Sequence, residues 1–288
     1  SGAEATDGTL KLAKRVTKKS KIVACKNAYH GSTHAALSLN SSEYYTQAYR
    51  PLLSDIHFIE FNNIESLKLI DEQTACVIVE TIQGEAGYIE PTFEFLSALQ
   101  QKCRENCALL IFDEIQAGIG KTGKMFAFEH WNIVPDVLLL GKALGAGMPI
   151  GAFITSKAMM HTFTDNPILG HITTFGGHAV VSAAALAGLN ELERLDLIAQ
   201  VPAKEALIRN LLVHPKIIQI TGKGLMLAVH LSNFEQTLKF CQLCLADGLI
   251  TDWFLYANNC FRIVPPLSIT FNELEKGISI MLKNLDSL

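Results

Sequence analysis

The chain has 288 residues, with 24 Lys+Arg against 28 Asp+Glu for a formal net charge of −4, and it is 49% hydrophobic and 18% charged. That balance excludes extended disorder and a charge-driven fibre, gives no global positive field for gripping nucleic acid, and allows a substantial core. The longest apolar runs, such as residues 76–79 and 137–140, are far below the roughly 20 residues of a membrane span, and the seven cysteines, an odd count, suggest no disulfide framework and a reducing cytoplasm.

Residues 3–16 alternate small, apolar and basic positions at helical spacing, and 21–25 follow as a short strand. The small opening Ser1-Gly2-Ala3 exposes backbone N–H groups at the positive end of that helix, where either ordinary capping or a phosphate-sized anion fits. Residues 76–79 and 109–112 are apolar at successive positions, as strands buried on both faces must be, and 91–105 between them suits a crossover helix. That is a βαβ unit. The run at 137–140 follows Pro135 and ends at Gly141-Lys142, and 149–155 reads as a further strand of a mostly parallel sheet. A helix rich in Ala and Leu is expected over 179–194, a turn at Gln200-Val201-Pro202, and a helix over 201–212. Strands at 217–220, 225–230 and 260–264 with helices at 234–246 and 272–285 read as a smaller α+β domain. The expected fold class is α/β, with a large domain over 1–196 and a small C-terminal domain over 197–288.

Ligand sites of open parallel sheets collect beyond the strand carboxyl ends, and three expected ends carry charge: Glu80, Asp113 and Lys142. Charged residues also end strands simply by turning to solvent. A lysine held at a buried sheet edge loses hydration and attacks carbonyls more readily, whereas one with its stem along apolar surface keeps its ammonium in water. A lysine and an acid at neighbouring strand ends suit pyridoxal phosphate (PLP): the amine condenses with the aldehyde, and the carboxylate keeps the pyridine nitrogen protonated so that the ring accepts electrons. The stretch GIGKTGKM at 118–125 nearly satisfies a P-loop but ends on Met125, which has no hydroxyl for magnesium. His30 with His34, Cys103 with Cys107 and Cys241 with Cys244 complete no metal ligand set.

The wording LIFDEIQ at 110–116, GKTGKMFAFEHW at 120–131 and PDVLLLGKALGAGMPIGAF at 135–153 resembles the class III aminotransferases of PLP fold type I. The likeness extends through SGAEATDGTLKLAKR, NAYHGST, VETIQGEAG, HITTFGGH, TGKGLMLAV and FRIVPPLSIT, and so covers nearly the whole chain. Within the family it is most similar to the acetylornithine aminotransferases, with ornithine and 4-aminobutyrate aminotransferases as near relatives. The resemblance implies that Lys142 carries PLP, Asp113 pairs with the ring nitrogen, Gln116 bonds near the ring hydroxyl, Tyr29 covers one ring face, and Gly2 and Ala3 present N–H groups to the phosphate. It implies a homodimer in which Thr174 reaches the phosphate of the neighbouring subunit's cofactor. Arg262 would bind a dicarboxylate, and Glu85 would neutralise it when an uncharged part of a substrate enters.

The expected reaction moves the terminal amino group of N-acetylornithine, or a similar acylated ornithine, to 2-oxoglutarate, a cytoplasmic step of arginine biosynthesis on small substrates with no nucleic-acid or membrane partner. Ornithine or 4-aminobutyrate transamination and aminomutase or racemase chemistry are the alternatives, with a P-loop nucleotide enzyme or a non-catalytic scaffold as different classes. The chain departs from the family pattern at Ser32, where arginine is usual, and at Thr81, Lys121 and His178, with Arg50 a candidate replacement for the lost cation. Family members also carry a segment ahead of SGAEA, so an N-terminal portion is expected to be absent here, leaving the sheet short of a strand.

Overall fold

The computed structural model describes residues 1–288. The chain divides into two compact units: Ser1–Thr81, Pro91–Gly118 and Phe128–Glu191 form the first, and Ile82–Glu90, Ile119–Ala127 and Leu192–Leu288 the second.

The first unit opens with helix α1 (Gly2–Thr17), whose Ala5, Leu10, Leu12 and Ala13 are buried at helical spacing and whose last turn carries Lys14 and Arg15. Lys18 ends it in the left-handed conformation at φ 61°. Strand β1 (Lys21–Cys25) is buried at every position. After the short helices α2 (His34–Leu37) and α3 (Glu43–Thr46) comes β2 (Ile56–Ile59), a strand the sequence pattern does not announce. Its four residues are mostly half-buried, so they show neither a continuous apolar run nor a clean alternation. Strand β3 (Thr74–Glu80) is followed by α4 (Phe93–Glu105), capped by the Thr92 hydroxyl accepting from the Phe95 N–H. Strands β4 (Leu109–Asp113), β5 (Val137–Gly141) and β6 (Gly151–Thr155) complete a sheet of order β2-β1-β3-β4-β5-β6. Every neighbouring pair is parallel except β5 with β6, so the antiparallel strand lies at one edge. Helices α5 (Lys157–His161) and α6 (Ala179–Arg194) follow. The core on one face joins Leu10, Leu12 and Ala13 of α1 to Ile22, Ile78, Ile111 and Leu139. Burying such strands on both faces is what requires their unbroken Val, Ile and Leu runs.

In the second unit, α7 (Leu197–Leu211) runs straight through Pro202, where the sequence suggests a turn. The proline forfeits one backbone bond, and buried Val201 and Ile208 on the same helix offset that loss by packing into the core. Strands β7 (Gln219–Lys223), β8 (Met226–His230) and β9 (Cys260–Ile263) form an antiparallel sheet of order β7-β8-β9. Between β8 and β9 lies α8 (Phe234–Ala246), and α9 (Phe271–Asp286) closes the chain behind a Thr270/Glu273 capping box. Their apolar faces meet in a core that includes Leu227, Val229, Phe240, Phe261, Ile278 and Leu285.

Candidate active site

Parallel pairing sets Glu80 of β3 opposite Asp113 of β4, and Asp113 opposite Leu139 of β5. Lys142 follows directly on the last residue of β5. The acid and the amine therefore stand at the carboxyl ends of adjacent parallel strands, where an α/β sheet presents its ligand site.

Lys142 does not show the dehydration that a buried sheet edge suggests: its residue is exposed. Its backbone is instead the unusual feature, with φ 40° at Lys142 and 48° at Ala146, both non-glycine residues in the left-handed region. Such conformations cost on the order of 1–3 kcal/mol each and survive where surrounding structure over-determines them. Here the preceding Gly141 is tightly walled, since a Cβ on it would lie 3.2 Å from Ile115 and 3.6 Å from Gly2 Cα.

The first turn of α1 is thus brought against the end of β5. A Cβ at Gly2 would come within 2.9 Å of Ile115, and one at Gly31, whose φ is +130°, within 2.5 Å of the Ala3 Cβ. The Ser1 hydroxyl accepts from the Glu4 N–H and Ala5 N–H bonds the Ser1 carbonyl, which leaves the Gly2 and Ala3 N–H groups outside the helix's own ladder. Side chains at these glycines would fill the cradle, and two unpaired amides at a helix start suit a phosphate.

Asp113 is 5% exposed. Its Oδ1 accepts from the Ile115 N–H at 3.0 Å, and its Oδ2 lies 2.6 Å from Nδ1 of His30. The side chains of that pair are 0% and 4% exposed. Burial opposes charge on the imidazole, yet the hydrogen bond and charge of Asp113, with Glu80 beyond, hold the His30 pKa above its ordinary value. The His30 Nε2 is buried with no hydrogen-bond partner. Thr6 of α1 donates to the His30 carbonyl at 2.9 Å, tying the first turns of α1 to the residue paired with Asp113. The sequence offers His30 only as a metal-ligand candidate; its partner is 83 positions away and nothing local signals it.

Tyr29 is half-buried, with its hydroxyl 2.9 Å from the Ser32 hydroxyl and its N–H donating to Glu80 at 3.3 Å. Ser32 therefore completes a tyrosine contact instead of supplying a cation, and Arg50 pairs with Glu43 at the surface. Gln116 lies half-buried in the turn after β4. Beside it Glu114, 1% exposed, accepts from the Phe128 N–H at 2.7 Å and pins the 127–130 turn. Thr81 is fully buried and its hydroxyl has no partner. Thr174 is exposed between α5 and α6, where no hydrogen bond joins it to the cradle. An aldehyde-bearing, phosphorylated pyridine such as PLP matches this donor set: amine, buried carboxylate and helix-start amides.

The second unit holds the other sequence-derived pair. Residues 82–90 form a loop closed by Gln83 pairing with Ile89, and Glu85 projects from it. Its two carboxylate oxygens each accept from Arg262 at 3.3 Å, a two-pronged contact. The Leu255 N–H donates to the same carboxylate and the Tyr256 N–H to the Glu85 carbonyl. The guanidinium lies 4.5 Å over the Phe254 ring, and that ring meets Tyr88 edge-on. Burial lowers the Arg262 pKa, but Glu85, Tyr88 and Asp252 more than compensate, so it stays charged.

The same loop is secured by a relay that the sequence does not suggest. Thr221 donates to the Gly87 carbonyl at 2.7 Å, so its oxygen accepts from His230 Nε2 at 2.8 Å, and the neutral imidazole's Nδ1 accepts from the Cys260 thiol at 2.9 Å. Burial agrees with that direction, lowering the His230 pKa and raising the Cys260 thiol to about 12. Elsewhere in the unit, Lys121 donates to the Pro265 carbonyl at 2.9 Å, and burial lowers its pKa to about 8.

The aminotransferase class-III family model matches residues 1–285. The [LysW]-aminoadipate semialdehyde/glutamate semialdehyde transaminase of Sulfolobus acidocaldarius is 36% identical over 292 residues, covering 99% of this chain and 73% of its own. The acetylornithine aminotransferase of Bacillus subtilis is 37% identical over 294 residues, covering 97% and 72%. An ornithine aminotransferase structure from Toxoplasma gondii, with PLP partly occupying its active site, superposes with a TM-score of 0.92 at 29% identity, covering 100% of this chain and 70% of that one.

Proposed function

The chain belongs to the class-III aminotransferases and is a PLP-dependent enzyme; from that membership we propose that it transfers the terminal amino group of an acylated ornithine, such as N-acetylornithine, to 2-oxoglutarate. The observation that supports a working site is the placement of Asp113 and Lys142 at the ends of adjacent parallel strands, with the start of α1 packed against Gly141.

Bound PLP supplies an aldehyde that takes up the amino group and a protonated ring that accepts electrons. Lys142 Nζ would hold it and would move the proton at the carbon bearing the donor's nitrogen. The Asp113 carboxylate would keep the proton on the pyridine nitrogen, and His30 Nδ1–H orients that carboxylate. The Gly2 and Ala3 amides would bind the phosphate, Tyr29 would cover the ring, Gln116 would bond beside its hydroxyl, and Thr174 would serve the cofactor of a second copy. Arg262 binds a carboxylate of 2-oxoglutarate, and Glu85 neutralises it while the donor is present. The products are a semialdehyde and glutamate. A homodimer accords with Ile168, Ile172 and Phe175 standing 77%, 68% and 76% exposed along the Thr174 segment.

The comparable identity to the Sulfolobus acidocaldarius relative favours a second reading, in which the donor is the amine corresponding to the LysW-borne semialdehyde in that relative's name. No helix is long and apolar enough to cross a membrane. A panel of acetylornithine, succinylornithine, ornithine and 4-aminobutyrate, followed by the cofactor's absorbance change, tests the proposal. Response to the acylated ornithines alone supports it; a PLP-loaded protein indifferent to all four, or a Lys142→Ala variant that still turns over, defeats it.

A further inference from the structure

Besides Glu85, a second carboxylate stands against Arg262. Asp252 Oδ1 lies 2.5 Å from Arg262 Nε as a charge contact without a hydrogen bond, whereas the Glu85 contacts are made by the two terminal nitrogens. Its position is not accidental. The Arg262 N–H donates to the Asp252 carbonyl at 3.0 Å, the Thr251 hydroxyl donates to the Arg262 carbonyl at 2.7 Å, and Trp253 bridges to Phe261. Residues 251–253 therefore run as a short extended segment beside β9, which places the Asp252 side chain next to the arginine.

The two acids differ in setting. The Arg262 and Glu85 side chains are 19% and 14% exposed, whereas Asp252 is 62% exposed. Glu85 sits on the separate 82–90 loop, and Asp252 sits on the arginine's own strand neighbour. One cation facing two carboxylates carries a local charge of −1, and when Glu85 disengages the remaining pair is neutral. An arginine serving a single switching acid would then be left with a full positive charge.

We infer that Asp252 is a specificity-determining residue: its carboxylate, fixed against Nε of Arg262, weakens the attraction of that guanidinium for a dicarboxylate oxoacid and so narrows the enzyme's preference for dicarboxylate over monocarboxylate acceptors. This rests on the reading of Arg262 given above. The acid acts through Arg262 and touches no reacting atom. Its exposure limits the effect to what a partly screened charge supplies, about 3- to 10-fold in affinity.

The test uses the PLP-loaded protein and the isosteric Asp252→Asn variant, which keeps the side chain's size beside Nε while the charge is gone. Binding of glutarate, an unreactive dicarboxylate, is measured by calorimetry, and KM and kcat are measured for 2-oxoglutarate and pyruvate. The expected result is glutarate affinity about 3- to 10-fold tighter, with the same fall in the KM for 2-oxoglutarate relative to pyruvate and a steeper weakening by salt. Asp252→Glu, which restores the charge, returns all three toward the wild type. Unchanged glutarate affinity in Asp252→Asn, beside an Arg262→Gln variant that loses it, overturns the role of Asp252 and leaves the Arg262 reading standing. Glutarate binding indifferent to Arg262→Gln overturns both. Weaker glutarate binding in Asp252→Asn shows that the acid serves only to hold the arginine, and refutes the inference.

Discussion

Replacing His30 with phenylalanine isolates the contact on which the geometry of Asp113 depends. The ring, slightly larger than the imidazole, fills its place and removes both nitrogens. In the wild type the 2.6 Å pair is sealed at 0% and 4% side-chain exposure, so breaking it strands a buried carboxylate, at about 3–5 kcal/mol. The same substitution removes the unpartnered Nε2, which returns about 1–3 kcal/mol. The balance is a loss of about 2 kcal/mol, smaller than a fully satisfied buried pair would give. The sign with pH follows from the direction of the shift. The folded pKa of His30 lies above the ordinary 6.5, so the folded state binds more protons in that window. The contribution is fully present below pH 6.5 and is lost as pH rises through the folded value. Urea unfolding of cofactor-free protein across pH 6 to 9 should therefore show wild-type stability falling where the variant's does not, with the gap widest near pH 6. A variant within about 0.5 kcal/mol of wild type at pH 6, or one keeping the same slope, refutes the reasoning.

Gly31→Val forces a Cβ to within 2.5 Å of Ala3 at φ +130°, so it should destabilise by about 1–3 kcal/mol and weaken phosphate-dependent PLP binding, measured by melting and cofactor titration. Lys121 has its pKa lowered by burial to about 8, so the unfolded chain binds more protons above that value. Stability should rise between about pH 8 and 10.5, and Lys121→Met should abolish that rise in denaturant unfolding. Cys260, buried with its thiol raised to about 12, should resist iodoacetamide at pH 8 in the native protein while exposed Cys107 reacts, as peptide mass spectrometry would show. Thr221→Val leaves the Gly87 carbonyl and His230 Nε2 without their shared partner, a loss of about 1–3 kcal/mol readable by thermal unfolding.

The chain order alone determines much of this molecule. Short continuous runs of Val, Ile, Leu and Phe bounded by polar or turn residues read as doubly buried strands, and that locates β3, β4 and β5 and hence the residues that end them. Asp113 and Lys142 are legible for that reason, and the family resemblance supplies PLP. What tertiary structure decides are contacts between positions far apart in sequence, where no periodicity operates. Residues 82–90 and 119–127 pack with 192–288 and not with their chain neighbours. His30 finds Asp113, Glu85 meets Arg262 across 177 positions, and Cys260, His230 and Thr221 line up only because antiparallel register pairs β8 with β9 and β7 with β8. Hydrophobic pattern specifies which face is buried; which charged group is matched to which is settled by the geometry that burial produces.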